Sequence, residues 1–566
     1  MFIPTTKREL DKLNIDQLDV ILVSGDVYID STYDGIAVIG KVLISKGFKV
    51  GIISQPNIES GTDIMRLGEP KLFWGISSGC VDSMVSNYTA LLKKKRSDDL
   101  TPGGINDRRP DRATIIFTNL IKKYFKNTKP IILGGVEASL RRIAHYDYWS
   151  DKIRRSILFD SKADAIVYGM GEKTILELAT KLRQGDEIHD TRGICYISKE
   201  IPNKFLELPS YNNVISDKMK FIEMFHLFYK NNDPINAKGL AQKHGDRFLI
   251  QNPPQHHLSS EELDRIHELD FERDVHPYYK SQGKVKALET TQFSINSHRG
   301  CYGECNFCSI AVHQGRTIIS RSEPSIIKEV KHITNHKGFK GNIADVGGPT
   351  ANMYGSDCNI QMTKGSCKSK RCAFPEKCPK MNQDHKRQIN LLKRIRAING
   401  VKKVFIGSGI RYDLIVGDDK FGRPYLENLV EHHVSGQLKI APEHISHDVL
   451  KAMGKPKNES LLKFKNDFEK ISRQKNKKQY LTYYLIASHP GCNEGHMREL
   501  KHFLDKELKI NPEQVQVFTP TPSTYATLMY YTGIDPFSMN KVFVEKNLRN
   551  KRSQKEVLFA SNRRKR

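Results

Sequence analysis

Short apolar runs alternate with segments of helical period along the first two hundred residues. Residues 20–23 form an uninterrupted apolar run, followed by the loop SGDVYIDSTYDG and a helical segment at 36–46 that stops at Gly47. Glycine at that place suits a left-handed helix end. A second run at 48–53 reads as another strand, and a β-loop-α-β order predicts a parallel sheet covered by helices. The rhythm continues through 71–75 and a helix near 111, where Ile115, Ile116, Leu120, Ile121 and Phe125 recur at helical spacing. Strands at 131–133 and 165–167 end in glycine turns, Gly134-Gly135 and Gly169-Met170-Gly171. Between these elements, 93–111 (KKKRSDDLTPGGINDRRPD) is polar and broken by Pro-Gly-Gly, which predicts an exposed loop.

From about 209 to 286 the βα rhythm stops. Phe221, Phe225 and Phe228, then Asn252-Pro253-Pro254-Gln255 and a helix from Ser259, predict a helical connector. After Phe293 the alternation returns. Strand candidates end at 345–348, 404–407, 438–440, 483–486 and 515–518, separated by helices such as 384–398 and 455–473. Five or six βα units fit a full or partial (β/α) barrel, whose site lies at the C-terminal mouth of its strands. The predicted fold class is α/β: a doubly wound parallel-sheet domain over 1–208, the connector over 209–286, and a barrel over 287–548. The barrel carries a Cys-rich insertion at 355–380, and a basic tail follows over 549–566.

At 566 residues the chain exceeds one core, and 38% hydrophobic residues exclude disorder by composition. No run approaches the roughly 18 apolar residues of a spanning helix, and the charged start lacks the apolar core of a signal peptide. These features predict a cytoplasmic chain without membrane contact. In a reducing compartment, clustered cysteines bind metal more readily than they pair.

The ten cysteines are unevenly placed. Cys301, Cys305 and Cys308 lie within HRGCYGECNFCSI, just after the predicted strand 291–295. Three thiolates on one short loop can hold three corners of an iron–sulfur cube and leave the fourth iron open to a ligand. Cys358, Cys367, Cys372 and Cys378 follow in a Lys-rich insertion with few apolar residues, where a metal staple would be needed; their spacing suits tetrathiolate zinc or a second iron–sulfur cluster equally. Cys80 and Cys195 read as small buried apolar residues, and Cys492 stands apart.

Cys301-x3-Cys305-x2-Cys308, with Phe307 before the third cysteine, resembles the signature of the radical S-adenosylmethionine (SAM) superfamily. The resemblance implies a [4Fe-4S] cluster whose open iron is chelated by SAM. One electron from a reductant such as flavodoxin or ferredoxin then cleaves SAM to methionine and a 5′-deoxyadenosyl radical. It further implies that Phe307 lies against the adenine. Gly347-Gly348-Pro349-Thr350 stands where the superfamily binds the SAM amino group, with Pro in place of an acid, which leaves that contact to backbone carbonyls. Ser408 and Arg411 match the segment that meets the ribose and carboxylate, and Ala441-Pro442-Glu443-His444 matches a later polar strand end. Over about residues 10–560 the chain resembles the YgiQ family of radical SAM proteins, which implies a cobalamin-binding-like first domain and leaves the substrate unassigned.

That first domain offers no Asp-x-His-x-x-Gly sequence for an axial histidine, so the resemblance is read as one of fold, with cobalamin disfavoured. It also lacks the three cysteines that a methylthiotransferase would place there. The net charge of +26 and the tail RNKRSQKEVLFASNRRKR would attract phosphate, which makes RNA a candidate partner. A noncatalytic, metal-stapled RNA-binding protein is therefore the alternative reading.

Overall fold

The computed structural model describes residues 1–559 and divides the chain into two compact units. Unit 1 comprises 1–292 with 312–315 and 521–523; unit 2 comprises 293–311, 316–520 and the residues from 524 onward.

Unit 1 is built on one sheet. β1 (Val20–Ser24), β2 (Val50–Ser54), β3 (Phe73–Ser77) and β4 (Ile131–Gly134) are almost wholly apolar, because a parallel sheet is covered on both faces. β5 (His145–Asp147) and β6 (Lys152–Arg154) form a separate hairpin. β7 (Ala165–Val167), β8 (Ile194–Ser198), β9 (Leu206–Leu208), β10 (Leu240–His244) and β11 (Arg247–Gln251) complete the sheet, in the order β2-β1-β3-β4-β7-β8-β11-β10-β9. The first five strands of that order pair in parallel, which is the doubly wound arrangement expected. β1 and β3 are neighbours whose successors, β2 and β4, lie to opposite sides, so the topological switch point falls between them. Asp34 accepts a hydrogen bond from Ile36 N and starts the helix Gly35–Ile44 that returns to β2.

The stretch 209–286 is more than a helical connector. It holds the expected helix Lys218–Lys230, with Phe221, Phe225 and Phe228 buried, but also β10 and β11, an antiparallel pair joined through Gly245-Asp246. A Gly-Asp pair between two short runs is a hairpin signal, obscured here by the polar residues Gln242, Lys243 and His244. The segment 93–111 is largely exposed, as expected, but Thr101, Asn106 and Arg109 within it are buried.

Unit 2 contains β12 (Ser294–Asn296), a short hairpin of β13 (His298–Arg299) and β14 (Ile319–Ser320), then β15 (Asn342–Ile343), β16 (Asp345–Gly347), β17 (Lys403–Val404), β18 (Gln437–Glu443), β19 (Tyr480–Ala487) and β20 (Gln514–Val517). β12 pairs with β16, β15 with β17, and β18 with β19 and β19 with β20, all in parallel. Phe405 N donates to Ile343 O (3.0 Å) and Val346 N to Phe405 O (3.1 Å), and Ile410 bridges Ile440 in parallel, so the pairs form one chain-ordered series. No pairing of β20 with β12 occurs among the described residues, which makes this the partial form of the barrel. Ile295, Val346, Val404, Leu438, Ile440, Leu485 and Val515 fill its core.

The basic tail begins as packed structure. Residues Leu548–Val557 form a helix against β20 and the helix Glu494–Phe503, with Lys551, Gln554 and Leu558 buried. The final basic residues, 560–566, lie outside the described residues.

Candidate metal centre

The loop 300–309 follows β13, and its turns are held from below by one side chain. Asn306 N donates to Met453 O (2.8 Å) and Asn306 Nδ2 to Ala452 O (2.8 Å), while Asn306 O accepts from Ala526 N (2.8 Å). Cys308 N donates to Cys305 O (2.9 Å), closing the second half of the loop. Buried Glu304 adopts φ 45° and pairs with buried Arg316 (3.3 Å); Arg371 Nη1 donates to its carbonyl (3.2 Å). None of these anchors was legible from the cysteine spacing.

The loop brings Cys301, Cys305 and Cys308 into electrostatic reach of one another. Burial raises the Cys301 thiol, Cys305 adds to the rise, and Gly303 N, Arg411 and Thr350 oppose it. Burial raises Cys308 well above the usual thiol range, with Cys305, Cys301 and then Glu443 contributing. No three His, Cys, Asp or Glu side chains among the described residues are grouped as around a single metal ion. A cubane needs a different donor set, since each thiolate binds its own iron, and three coupled cysteines on one loop fit that chemistry.

Arg411 supplies positive charge to this loop. Its guanidinium is held by Asp413, with Nε 3.1 Å from Oδ1 and Nη2 2.5 Å from Oδ2, and its backbone N donates to Asn352 Oδ1 (2.8 Å). Burial penalises the guanidinium, but Asp413 more than offsets it and keeps the group charged. Gly303 lies between this cation and the first sulfur: a Cβ there would stand 2.9 Å from Arg411 Nη1 and 3.3 Å from Cys301 Sγ. Cys301 Sγ also meets Thr350 Oγ1 at 3.8 Å.

The strand ends around the loop are tied together. Asp345 accepts from Gly407 N (2.7 Å), Ser408 N (3.1 Å) and Ser408 Oγ (2.8 Å), fastening the start of β16 to the segment after β17. Burial raises its carboxyl and the Ser408 bonds oppose the rise. Ser408 is thus a partner of Asp345, and a Cβ on Gly347 would overlap its hydroxyl. Ser297 N (2.7 Å) and Ser297 Oγ (3.0 Å) both donate to Gly347 O, so that carbonyl, an expected SAM contact, is already engaged. Gly348 faces buried His298, whose ring a Cβ would approach to 2.5 Å. Glu443 is buried with φ 65° at the end of β18 and stands 3.7 Å from Lys455.

Phe307 is half-buried against the barrel core and meets His489 edge-on at 6.0 Å. His298 and His489 are fully buried; burial pulls each imidazole down to about 4. Neither Nε2 has a hydrogen-bond partner among the described residues.

The second cysteine group divides. Cys358 and Cys372 are buried in a small apolar cluster with Tyr302, Met353 and Leu414, against which Cys378 and Cys301 pack. Cys372 is pushed up to about 12 by burial, then by Glu304, Cys378, Cys358 and Cys367. Cys367 is exposed. Among the other cysteines, Cys195 and Cys492 are buried, whereas Cys80, expected inside, is exposed.

A doubly wound first unit joined to a partial barrel with a three-cysteine loop defines the radical SAM class, and the comparisons agree. The family profile described as Radical SAM N-terminal matches residues 2–294, and a profile for a domain of unknown function, DUF3362, matches 513–561. The UPF0313 protein FN0734 of Fusobacterium nucleatum is 54% identical over 558 residues, covering 98% of each chain. The UPF0313 protein of Thermotoga neapolitana is 49% identical over 563 residues, covering 99% of each. This chain belongs to the UPF0313, or YgiQ-type, family of radical SAM proteins. Among solved structures it shares its fold with the radical SAM methyltransferase TsrM of Kitasatospora setae, bound to tryptophan and a SAM analogue (TM-score 0.51, 12% identity, 96% of this chain and 88% of that one). It also resembles the cobalamin-dependent radical enzyme OxsB with aqua-cobalamin bound (TM-score 0.50, 14% identity, 91% and 55%).

Proposed function

We propose that this chain is a radical SAM enzyme in which Cys301, Cys305 and Cys308 hold a [4Fe-4S] cluster and SAM binds its open iron. The observation that carries this reading is the assembly of three coupled thiols on one anchored loop, with the Arg411 guanidinium beside the first. Once loaded, the cluster supplies an electron that cleaves SAM reductively, while the protein orients the cofactor and excludes water. Arg411, whose Nε and Nη2 are held by Asp413, offsets the negative charge of the thiolates and turns Nη1 toward the loop where the SAM carboxylate would bind. Phe307 presents an apolar face to the adenine, and Gly347 and Gly348, which leave room for Ser408 and His298, form with Asp345 the tied strand that SAM would border. Electrons come from a one-electron donor of the flavodoxin or ferredoxin type. Cys358, Cys372 and Cys378 pack in one cluster without being grouped around a single ion. Of the two metals expected at this group, an iron–sulfur cluster, in which each thiolate binds its own iron, therefore suits them better than zinc.

The test is anaerobic reconstitution with iron and sulfide, followed by SAM and dithionite. The expected result is a brown iron–sulfur chromophore and release of 5′-deoxyadenosine. Absence of either in folded protein overturns the reading. Metal analysis of Cys372→Ser, expected to lose the metal of the second group while retaining the [4Fe-4S] spectrum of the triad, tests the second site.

A further inference from the structure

In doubly wound sheets ligands enter the crevice outside the carboxyl ends of the strands, at the switch point. In unit 1 that place lies between the ends of β1 and β3. Solved fold neighbours include TsrM and OxsB with cobalamin bound. We infer that this chain takes no cobalamin at the strand ends of unit 1, because its own 93–111 segment and a buried ion pair close the crevice.

The closure starts in the backbone. Gly25 N donates to Ser77 O (3.1 Å), and a Cβ on Gly25 would overlap the Ser78 carbonyl, so the two loops touch at the point where they would have to part. Asp26 fills the next layer. Its carboxylate lies over Gly79, which holds φ 111° and has no room for a Cβ, and it accepts from Cys80 N (2.6 Å).

The 93–111 segment then closes over this layer. Arg109 pairs with Asp26 and also reaches Asp98 (2.9 Å), and the Arg109 and Asp26 side chains are 0% and 3% exposed. Val27 N donates to Leu100 O (3.1 Å), and Gln55, at the end of β2, donates through Nε2 to Gly25 O (3.0 Å) and Thr101 Oγ1 (2.7 Å). From its other side the segment is fastened by Gly103 N to Lys284 O (3.0 Å) and Ala287 N to Asp99 O (2.9 Å). A corrin seated here would have to displace the segment, carrying Arg109 and Asp98 away together and leaving Asp26 as a buried, unpaired charge, which is strongly unfavourable. Residues 25–35, 78–112 and 134–144 also contain no histidine to bind cobalt from this side.

The experiment uses the full, reconstituted chain incubated with excess hydroxocobalamin and then desalted. No retained corrin absorption is expected; stoichiometric retention overturns the inference. Hydrogen exchange guards against a trivial negative. The amides of Gly25, Val27 and Cys80 should exchange at least tenfold more slowly than exposed loop amides and be indifferent to hydroxocobalamin. Fast exchange in folded protein, or protection gained on adding the corrinoid, counts against closure. Arg109→Met should speed exchange in 24–34 and 77–83 at least tenfold while 437–443 in unit 2 stays unchanged; unaltered exchange at 24–34 and 77–83 would remove the ion pair as the lock.

Discussion

The two units end their parallel strands in opposite ways. At the β1 and β3 ends of unit 1, the chain folds back on itself and pairs Asp26 with Arg109, and Arg109 with Asp98. At the corresponding ends in unit 2 stand coupled thiols, two buried neutral imidazoles with unpartnered nitrogens, and one guanidinium held by Asp413. Opposite charges that satisfy each other leave little to offer a ligand. Unpartnered acceptors and deprotonatable sulfurs do offer something. One architecture therefore serves as packing in one place and as a candidate site in the other, and a fold shared with cobalamin enzymes does not by itself imply the cofactor.

The comparison can be broken most decisively at the cysteines. Cys305→Ala should abolish SAM cleavage and the cluster chromophore while leaving exchange in unit 1 unchanged; residual 5′-deoxyadenosine at even a tenth of the wild-type yield would contradict the assignment. Next in size is the ion pair of unit 1. Asp26→Leu removes one of the two carboxylates that compensate buried Arg109 and should cost up to about 3–5 kcal/mol in urea unfolding, whereas adding Arg109→Met should recover part of it. If the single and double variants are equally unstable, the lock is not electrostatic.

Gly303→Ala is a finer probe of the second unit. Its methyl would press on Arg411 and Cys301, costing about 1–3 kcal/mol and lowering iron incorporation, as read by iron content per chain. Unchanged iron loading would show that the guanidinium has room to move.

The smallest effect concerns pH. His433 is buried with Nδ1 2.7 Å from Val404 O, and burial, helped by Arg396 and His432 and opposed by that carbonyl, holds its imidazole down to about 4. The unfolded chain takes up its proton near pH 6.5, so between about 6.5 and about 4 the unfolded state binds more protons and stability falls as the pH falls. His433→Gln should flatten that slope in pH-dependent melts.

Much of this was legible in the chain. The apolar runs at β1–β4 and the helical spacing of Ile116, Leu120 and Ile121 reflect contacts with periodic neighbours, which leave a periodic imprint. The triad Cys301, Cys305 and Cys308 was legible as a candidate for a simpler reason, since the proposed ligands of one cluster are carried by a single loop and so are close in sequence. The β10–β11 hairpin, the helix at 548–557 and the inward turn of Thr101, Asn106 and Arg109 within the otherwise largely exposed 93–111 segment were not. Lys551 reads as a charge, yet it is buried and donates to Tyr530 Oη (2.8 Å), a partner 21 residues away. Arg109 and Asp26 are 83 residues apart, and nothing local marks them as a pair.

The sequence by itself determined the α/β class, the order of the two halves and the cysteines that would hold a cluster, because each is encoded in short-range spacing. Tertiary structure alone decided which strand ends stay available. That outcome depends on whether a distant loop returns to neutralise a buried charge, as 93–111 does over Asp26, or whether a residue such as Asp345 merely ties neighbouring strands and leaves the cysteine loop to a ligand.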